Sequence, residues 1–328
     1  MYVMTGKITF PAWQDPEGAP MVVRKFTGVR IETAFKQIMQ VAEITLPRNI
    51  STFDKMNVKD VFRVGDPVII HLGYNGNDIE EFSGYISNVS AGIPIVIKVS
   101  DEMWKARKLP VNYVGRNIIL PDLLKKIAPG YEIDAAPYNI GDKRWSNKTL
   151  GDVLQELQGN NLYSYFIGKK LVCGKYYVEH TGEAIKLFDL ERNTVSDELN
   201  YKNKEDIVIK INARSITADG KKIEFSLGDD GGSVMKLDYY NITAKAELEK
   251  KVREDYDLAK RGGLSGSITG FGVPRVTFGQ KIEVTSGMYP DRNGQYYIDG
   301  VVKTFDDGGF RQEIELGPAY IPRDTSLK

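Results

Sequence analysis

The stretch from Gly65 to Val99 constrains the fold more than any other part of the chain. Val68, Ile70 and Leu72 alternate with Ile69 and His71, so one face of an extended segment is apolar. Gly65-Asp66-Pro67 makes a turn before it. Asn75-Gly76-Asn77-Asp78 makes a hairpin turn after it, because Asn and Gly accept the positive φ that tight connections require. Phe82–Val89 returns, and Ile93–Val99 follows Ala91-Gly92. Gln40–Leu46 alternates in the same way just upstream. Strands this short and evenly spaced predict a small barrel or sandwich. The 18 tyrosines and 32 glycines suit that reading.

The pattern changes near Lys108. Leu120, Leu123, Leu124 and Ile127 fall at helical spacing before Pro129-Gly130. Thr149–Leu157 predicts a second helix, with Thr149 as N-cap, Asp152 completing a capping box, and Gly159-Asn160-Asn161 as the stop. Tyr163–Ile167 and Lys170–Gly174 predict a hairpin about Gly168-Lys169. From about Asn200 strands resume. Asp206–Ala218 and Lys221–Leu227 flank Asp219-Gly220, and Thr243–Lys260 is the strongest helix, with Leu248, Val252, Tyr256 and Ala259 as its stripe. Further strands are expected at Leu264–Phe271, Gln280–Thr285, Gly294–Phe305 and Phe310–Leu316. The outer regions share a plan: a Gly-led strand (Gly65-Asp66-Pro67-Val68; Gly279-Gln280-Lys281-Ile282) followed by a strand pair.

Composition bounds the rest. The 328 residues suggest two or three compact units, and 41% hydrophobic with 27% charged residues fits a soluble globular chain. With 44 basic and 44 acidic side chains the net charge is zero, so non-specific phosphate binding is not the expected role. One cysteine, Cys173, excludes an internal disulfide. No secretory signal is read at Met1–Phe10, and the longest apolar runs are strand-sized, so no membrane segment is expected.

Chemistry finds little footing. The run from Gly262 to Gly272 follows a helix and leads into a strand, the reverse of a phosphate loop, so its glycines read as a C-cap and a close backbone approach. His71 and His180 are the only histidines and are far apart; with one cysteine they make no zinc set. Cys173 sits in an apolar strand, and no Gly-x-Ser-x-Gly elbow is present. Asp229-Asp230 and Asp306-Asp307 lie beside glycines and read as turn formers. No catalytic, cofactor or metal residue is therefore assigned.

The order of motifs carries a resemblance. Ser267-Ile268-Thr269-Gly270-Phe271-Gly272-Val273-Pro274 precedes the Gly279-led strand, and Asn293-Gly294-Gln295-Tyr296 opens a closing hairpin through Val301 to Phe305 and Gly309. Leu46-Pro47, Phe62 to Val68, Gly73-Tyr74, Phe82-Ser83-Gly84-Tyr85-Ile86 and Asn147-Lys148-Thr149-Leu150 add to it. In that order the chain resembles the late-control protein D family, the baseplate hub proteins of contractile-tailed phages, with relatives in Mu-like phages and type VI secretion spikes. The resemblance implies a mainly β fold with an α+β insert: a tube-like antiparallel β-barrel at 1–108, a small α/β domain at 109–199, and a second tube-like barrel at 200–328 carrying a helix at 243–261. It also implies a non-enzymatic homotrimer that matches a six-fold tail tube to a three-fold spike. The expected partners are a tail tube protein, a separate spike and other baseplate proteins. The expected location is a virion tail baseplate, assembled in the host cytoplasm without a cofactor. Two other readings are a tail-associated cell-wall hydrolase, which needs a carboxylate or histidine cleft, and a carbohydrate-binding β module, which needs an aromatic platform. Trp13, Trp104 and Trp145 are scattered in sequence and do not suggest such a platform.

Overall fold

The computed structural model describes residues 2–14, 18–47, 61–159, 162–174, 184–217, 221–240, 242–260 and 262–320. The chain is mainly β. It begins with β1 (Met4–Gln14), β2 (Pro20–Val23), β3 (Gly28–Ala34), β4 (Val41–Leu46), β5 (Pro67–Tyr74), β6 (Asn77–Val89) and β7 (Ile95–Ser100). Alternation decides which face is buried: Val68, Ile70 and Leu72 point inward from β5, as do Ile95, Ile97 and Val99 from β7. The β5–β6 turn falls at Asn75 and Gly76, with φ of 54° and 84°, as a two-residue hairpin of this chemistry requires.

The middle unit follows, with α1 (Met103–Ala106), β8 (Pro110–Gly115), α2 (Leu120–Ile127), β9 (Glu132–Ala135), β10 (Lys143–Thr149), α3 (Leu150–Gln158), β11 (Ser164–Ile167) and β12 (Lys170–Cys173). Both predicted helices form. Thr149 caps α3: its side chain accepts from the Asp152 N–H, and the Asp152 carboxylate accepts from the Thr149 N–H. The inward leucines of α2 and α3 join Leu171 and Trp145 in a separate apolar core.

Next come β13 (Lys186–Asp189), β14 (Thr194–Lys202), β15 (Ile209–Ile216), β16 (Lys222–Gly228), β17 (Ser233–Tyr240), α4 (Lys245–Ala259), β18 (Gly263–Phe271), β19 (Lys281–Thr285), β20 (Gly294–Asp306) and β21 (Gly309–Ala319). Strands β16, β15 and β17 form their own sheet, and Leu248 and Val252 of α4 close its small core against Ile211. The helix predicted from Thr243 starts two residues later, at Lys245. The predicted Asp219-Gly220 turn lies outside the described residues. The strands on either side of it, β15 and β16, pair antiparallel down to Ile216 opposite Lys222.

The large sheet repeats itself. Its order runs β14-β18-β21-β20-β3-β4-β7-β6-β5-β1-β2, with β19 paired to β20 and β13 to β19. The strands β3-β4-β7-β6-β5 and β14-β18-β21-β20-β19 have the same order, and every pair in both sets is antiparallel. The Gly-led turns match in detail. Gly65 N–H donates to the Ile86 carbonyl at 2.8 Å, and Ile86 N–H donates to the Asp66 carbonyl at 2.9 Å. In the second set Gly279 donates to Ile298 at 2.8 Å, and Ile298 donates to Gln280 at 2.9 Å. Gly65 and Gly279 have φ of 99° and 83°, which glycine adopts without strain. The five-strand sets join where β20 pairs with β3, from Gly300 opposite Ala34 to Phe305 opposite Val29. Among the described residues these pairings form an open path that ends at β14, β2 and β13.

Candidate functional site

The junction between the two five-strand sets carries a buried ion-pair cluster. On β6, Ile70 faces Phe82 and His71 faces Glu80, so Glu81 is the extra residue of a bulge. A bulge re-aims a side chain. Here it turns Glu81 inward, where Oε2 lies 2.5 Å from Lys303 Nζ and 3.1 Å from Arg275 Nε. Lys303 stands on β20, opposite Ile31 of β3 and Gln312 of β21, at the seam itself. Arg275 follows β18 and also donates to the Glu80 carbonyl. Burial lowers the Lys303 pKa against the pull of Glu81. Next to this cluster Gln312 donates to the Pro274 carbonyl at 2.5 Å.

A cleft of about 530 Å³ opens beside this seam. Its far wall belongs to the middle unit, with Tyr165, Phe166 and Lys169 around the β11–β12 turn. Asp101 and Glu102 line the end where β7 runs into α1. Glu102 accepts from the Tyr85 hydroxyl at 2.8 Å and from the Tyr131 hydroxyl at 3.0 Å, which ties β6 to the middle unit. Burial and that carboxylate push the Tyr85 hydroxyl up to about 12. Asp101 Oδ1 accepts from the Met103 N–H at 3.2 Å, while Oδ2 is buried with no hydrogen-bond partner. Burial raises this carboxyl to about 7, against the opposing N–H groups of Gln40 and Met103.

Chemically the cleft can clamp and bind. Glu81 is committed to two cations, and no histidine or cysteine is among the lining residues. Among the described residues no group of three His, Cys, Asp or Glu is placed to hold a metal ion. No helix among them is long and apolar enough to cross a membrane.

The residues weighed from sequence are not brought together. The glycines from Gly262 follow α4 and enter β18, and a Cβ on Gly266 would lie 1.9 Å from the Glu198 carbonyl oxygen, a true close approach of backbones. Cys173 is buried on β12, where burial pushes its thiol up to about 11. His71 stands on β5, with Nδ1 buried and without a hydrogen-bond partner. His180 lies outside the described residues. Asp229 precedes β17 and takes Lys260 at 2.6 Å, while Asp306 accepts from the Gly308 N–H at 2.8 Å in the β20–β21 turn. The tryptophans part company: Trp13 packs on the first core, Trp104 stacks near Tyr85, and Trp145 is buried with its indole N–H on Glu156. Sequence reasoning missed Glu81, Lys303, Arg275 and Asp101. A lysine at an inward position of β20, in register with buried Val301, was the one local sign.

No protein-family model and no curated protein matches the sequence. Solved structures do. The chain has the fold of phage tail proteins, the class to which the motif order pointed. A tail protein from Neisseria meningitidis MC58 superposes with a TM-score of 0.65 at 11% identity, covering 96% of each chain. The 43 kDa tail protein of prophage MuSo2 from Shewanella oneidensis gives 0.64 at 11% identity, covering 96% of this chain and 98% of that one. An Escherichia coli component of the type VI secretion system, described as similar to T4 bacteriophage tail proteins gp27 and gp5, gives 0.54 at 10% identity, covering 91% and 76%.

Proposed function

We propose that this chain is a structural baseplate hub of a phage tail or a related contractile injection particle, non-enzymatic, and trimeric when assembled. The observation that carries the reading is the internal repeat of five strands with matching Gly-led turns. Three copies of a chain that holds two such units present six similar units with three-fold symmetry. One side then suits a six-fold tail tube and the other a three-fold spike, a separate protein in this reading.

The seam within the chain offers a pattern for the seam between copies. Inside, β20 of the second unit pairs with β3 of the first. Their counterparts are β6 and β14. Among the described residues, the end of β6 beyond Ile86 has no partner on its β5 side, and β14 pairs only with β18. Joining β14 of one copy to the β6 end of the next repeats the internal seam in a head-to-tail sense, and three such contacts close a ring. On this reading the open five-strand sets become the tube-like walls. The three-part division, with tube-like units at 1–108 and 200–328 around a middle α/β unit at 109–199, belongs to the same proposal, and β14 (Thr194–Lys202), as the first strand of the second repeat, puts the second boundary just before Thr194. The particle's tail baseplate, assembled in the host cytoplasm, is the proposed location.

The test is mass by light scattering together with negative-stain imaging, alone and with the tube and spike proteins of the same particle. A three-chain ring is the expected result. A chain that stays monomeric in the presence of both partners overturns the reading.

A further inference from the structure

The two repeats can be laid on each other residue by residue, and the match singles out two exposed apolar side chains. Gly65 and Gly279 make the same turn, and Ile86 and Ile298 bond to it in the same way. From there the strand pairs stay in step. Ile86 faces Val99 and Ile298 faces Leu316, and each pairing then skips one residue, to Asn88 with Lys98 and Gly300 with Glu315. Ile93 lies seven residues after Ile86 and six before Val99. Phe305 lies seven after Ile298, and Phe310 six before Leu316. Ile93 therefore stands where the facing pair of Phe305 and Phe310 stands in the second repeat. In the same way Met288 lies nine residues after Gly279, as Tyr74 lies nine after Gly65.

Within the chain these positions meet across the seam. Phe310 is 1% exposed, lies in the core of the first repeat, and has its ring 5.7 Å from that of Tyr74. The counterparts lie open: Ile93 is 68% exposed and Met288 71%. A single exposed apolar side chain is ordinary. Here two are exposed at the very positions whose counterparts bury each other. The loop that bears Met288 is held beside the edge strand β14, by Arg292 on Asp197 at 3.7 Å and by the Tyr201 hydroxyl on Asp291.

We propose that Ile93 of one copy enters the second repeat of the next copy and packs against Met288 there, as Phe310 packs against Tyr74 within the chain. This rests on the head-to-tail ring proposed above and names the side chains that lock it. The occupant is a second copy because Ile93 follows β6, the strand whose end meets β14 of the neighbour in that ring. Isoleucine is smaller than phenylalanine, and the unbranched methionine side chain adapts its shape to a partner. Burying both removes apolar surface from water. Tyr74 also donates its hydroxyl to the Phe310 carbonyl at 3.1 Å, a bond that Met288 cannot make. The contact between copies is therefore apolar alone.

The experiment places cysteines at both positions of the full chain, Ile93→Cys with Met288→Cys, and adds a short bismaleimide in the presence of the tube and spike proteins of the same particle. Cys173 is buried and does not compete. Denaturing gels are expected to show chains joined covalently up to the trimer for the double variant, and monomers for either single variant. Light scattering and negative-stain images of the same samples separate this contact from the ring itself. A three-chain ring without joined chains overturns the contact and leaves the ring standing. Chains joined through Ile93→Cys alone overturn it too, since they report a two-fold contact. No ring in the parent with both partners present overturns both. Where the cysteines themselves weaken the ring, Ile93→Asp decides: it is expected to keep the parent's thermal midpoint and to lose the ring, and a ring that forms as readily as the parent's overturns the proposal.

Discussion

Lys303 on β20 reaches Glu81 on β6, Nζ to Oε2 at 2.5 Å, with only 5% and 2% of the two side chains exposed. The two residues belong to different repeats, so this ion pair is a fastening between them. Removing one partner of a buried pair leaves a charge stranded. Glu81→Gln is expected to cost about 3–5 kcal/mol, whereas Glu81→Leu together with Lys303→Met and Arg275→Gln, which strands no charge, recovers most of that loss. Urea unfolding of the three proteins measures it, and equal stabilities would remove the fastening role.

Phe310 makes a second fastening. It belongs to β21 of the second repeat yet is buried in the first core, beside Tyr74 and Phe305. Phe310→Ala is expected to cost about 3–5 kcal/mol. Calorimetry should then resolve two transitions where the parent shows one. Gly272 lies against the same ring, with a Cβ there only 2.2 Å from Phe310 Cδ1, so Gly272→Ala should act in the same direction.

Stability should fall with rising pH through the neutral range. Burial raises Asp101 above its unfolded value, so the folded state holds that proton more tightly. The contribution is fully present below the ordinary carboxylate range, is lost as pH climbs to about 7, and is absent above it. Its slope is at most about 1.4 kcal/mol per pH unit. Asp255, also raised by burial, acts in the same sense. Urea midpoints from pH 5 to 8 for the parent and D101N test this, the variant being flatter.

The α3 cap should be worth its usual amount. Thr149→Ala removes the acceptor for the Asp152 N–H and is expected to cost about 1 kcal/mol. A shift in the thermal midpoint reads it out. Thr149→Ser should restore the loss.

Assembly should fail before folding does when the open edge is charged. Val195 on β14 is 49% exposed, so Val195→Lys leaves the core untouched. Edge lysines oppose strand pairing. The variant is expected to keep the parent's thermal midpoint and to remain a monomer by light scattering.

Local rules made parts of this fold legible. Asn75-Gly76 gave its turn because only two residues are involved, and Thr149 with Asp152 gave the start of α3 for the same reason. The shared Gly-led turns were visible as a pattern, but their matching bonds to Ile86 and Ile298 depend on partners about twenty residues away. The seam was not readable. Glu81 and Lys303 are 222 positions apart, and nothing near Glu81 announces the bulge that turns it inward. Asp101 escaped notice because its pKa arises from burial, which is a property of the packed chain.

The position of Phe310 has a consequence for synthesis. A nascent chain emerges from its N-terminus, so β1 to β7 leave the ribosome long before the ring that completes their core. Until residue 310 appears, that first half stays loose and exposes apolar surface around Tyr74. On the ring arrangement proposed above, an interrupted translation product has no finished half to contribute, and only a chain synthesised past Phe310 becomes competent to join.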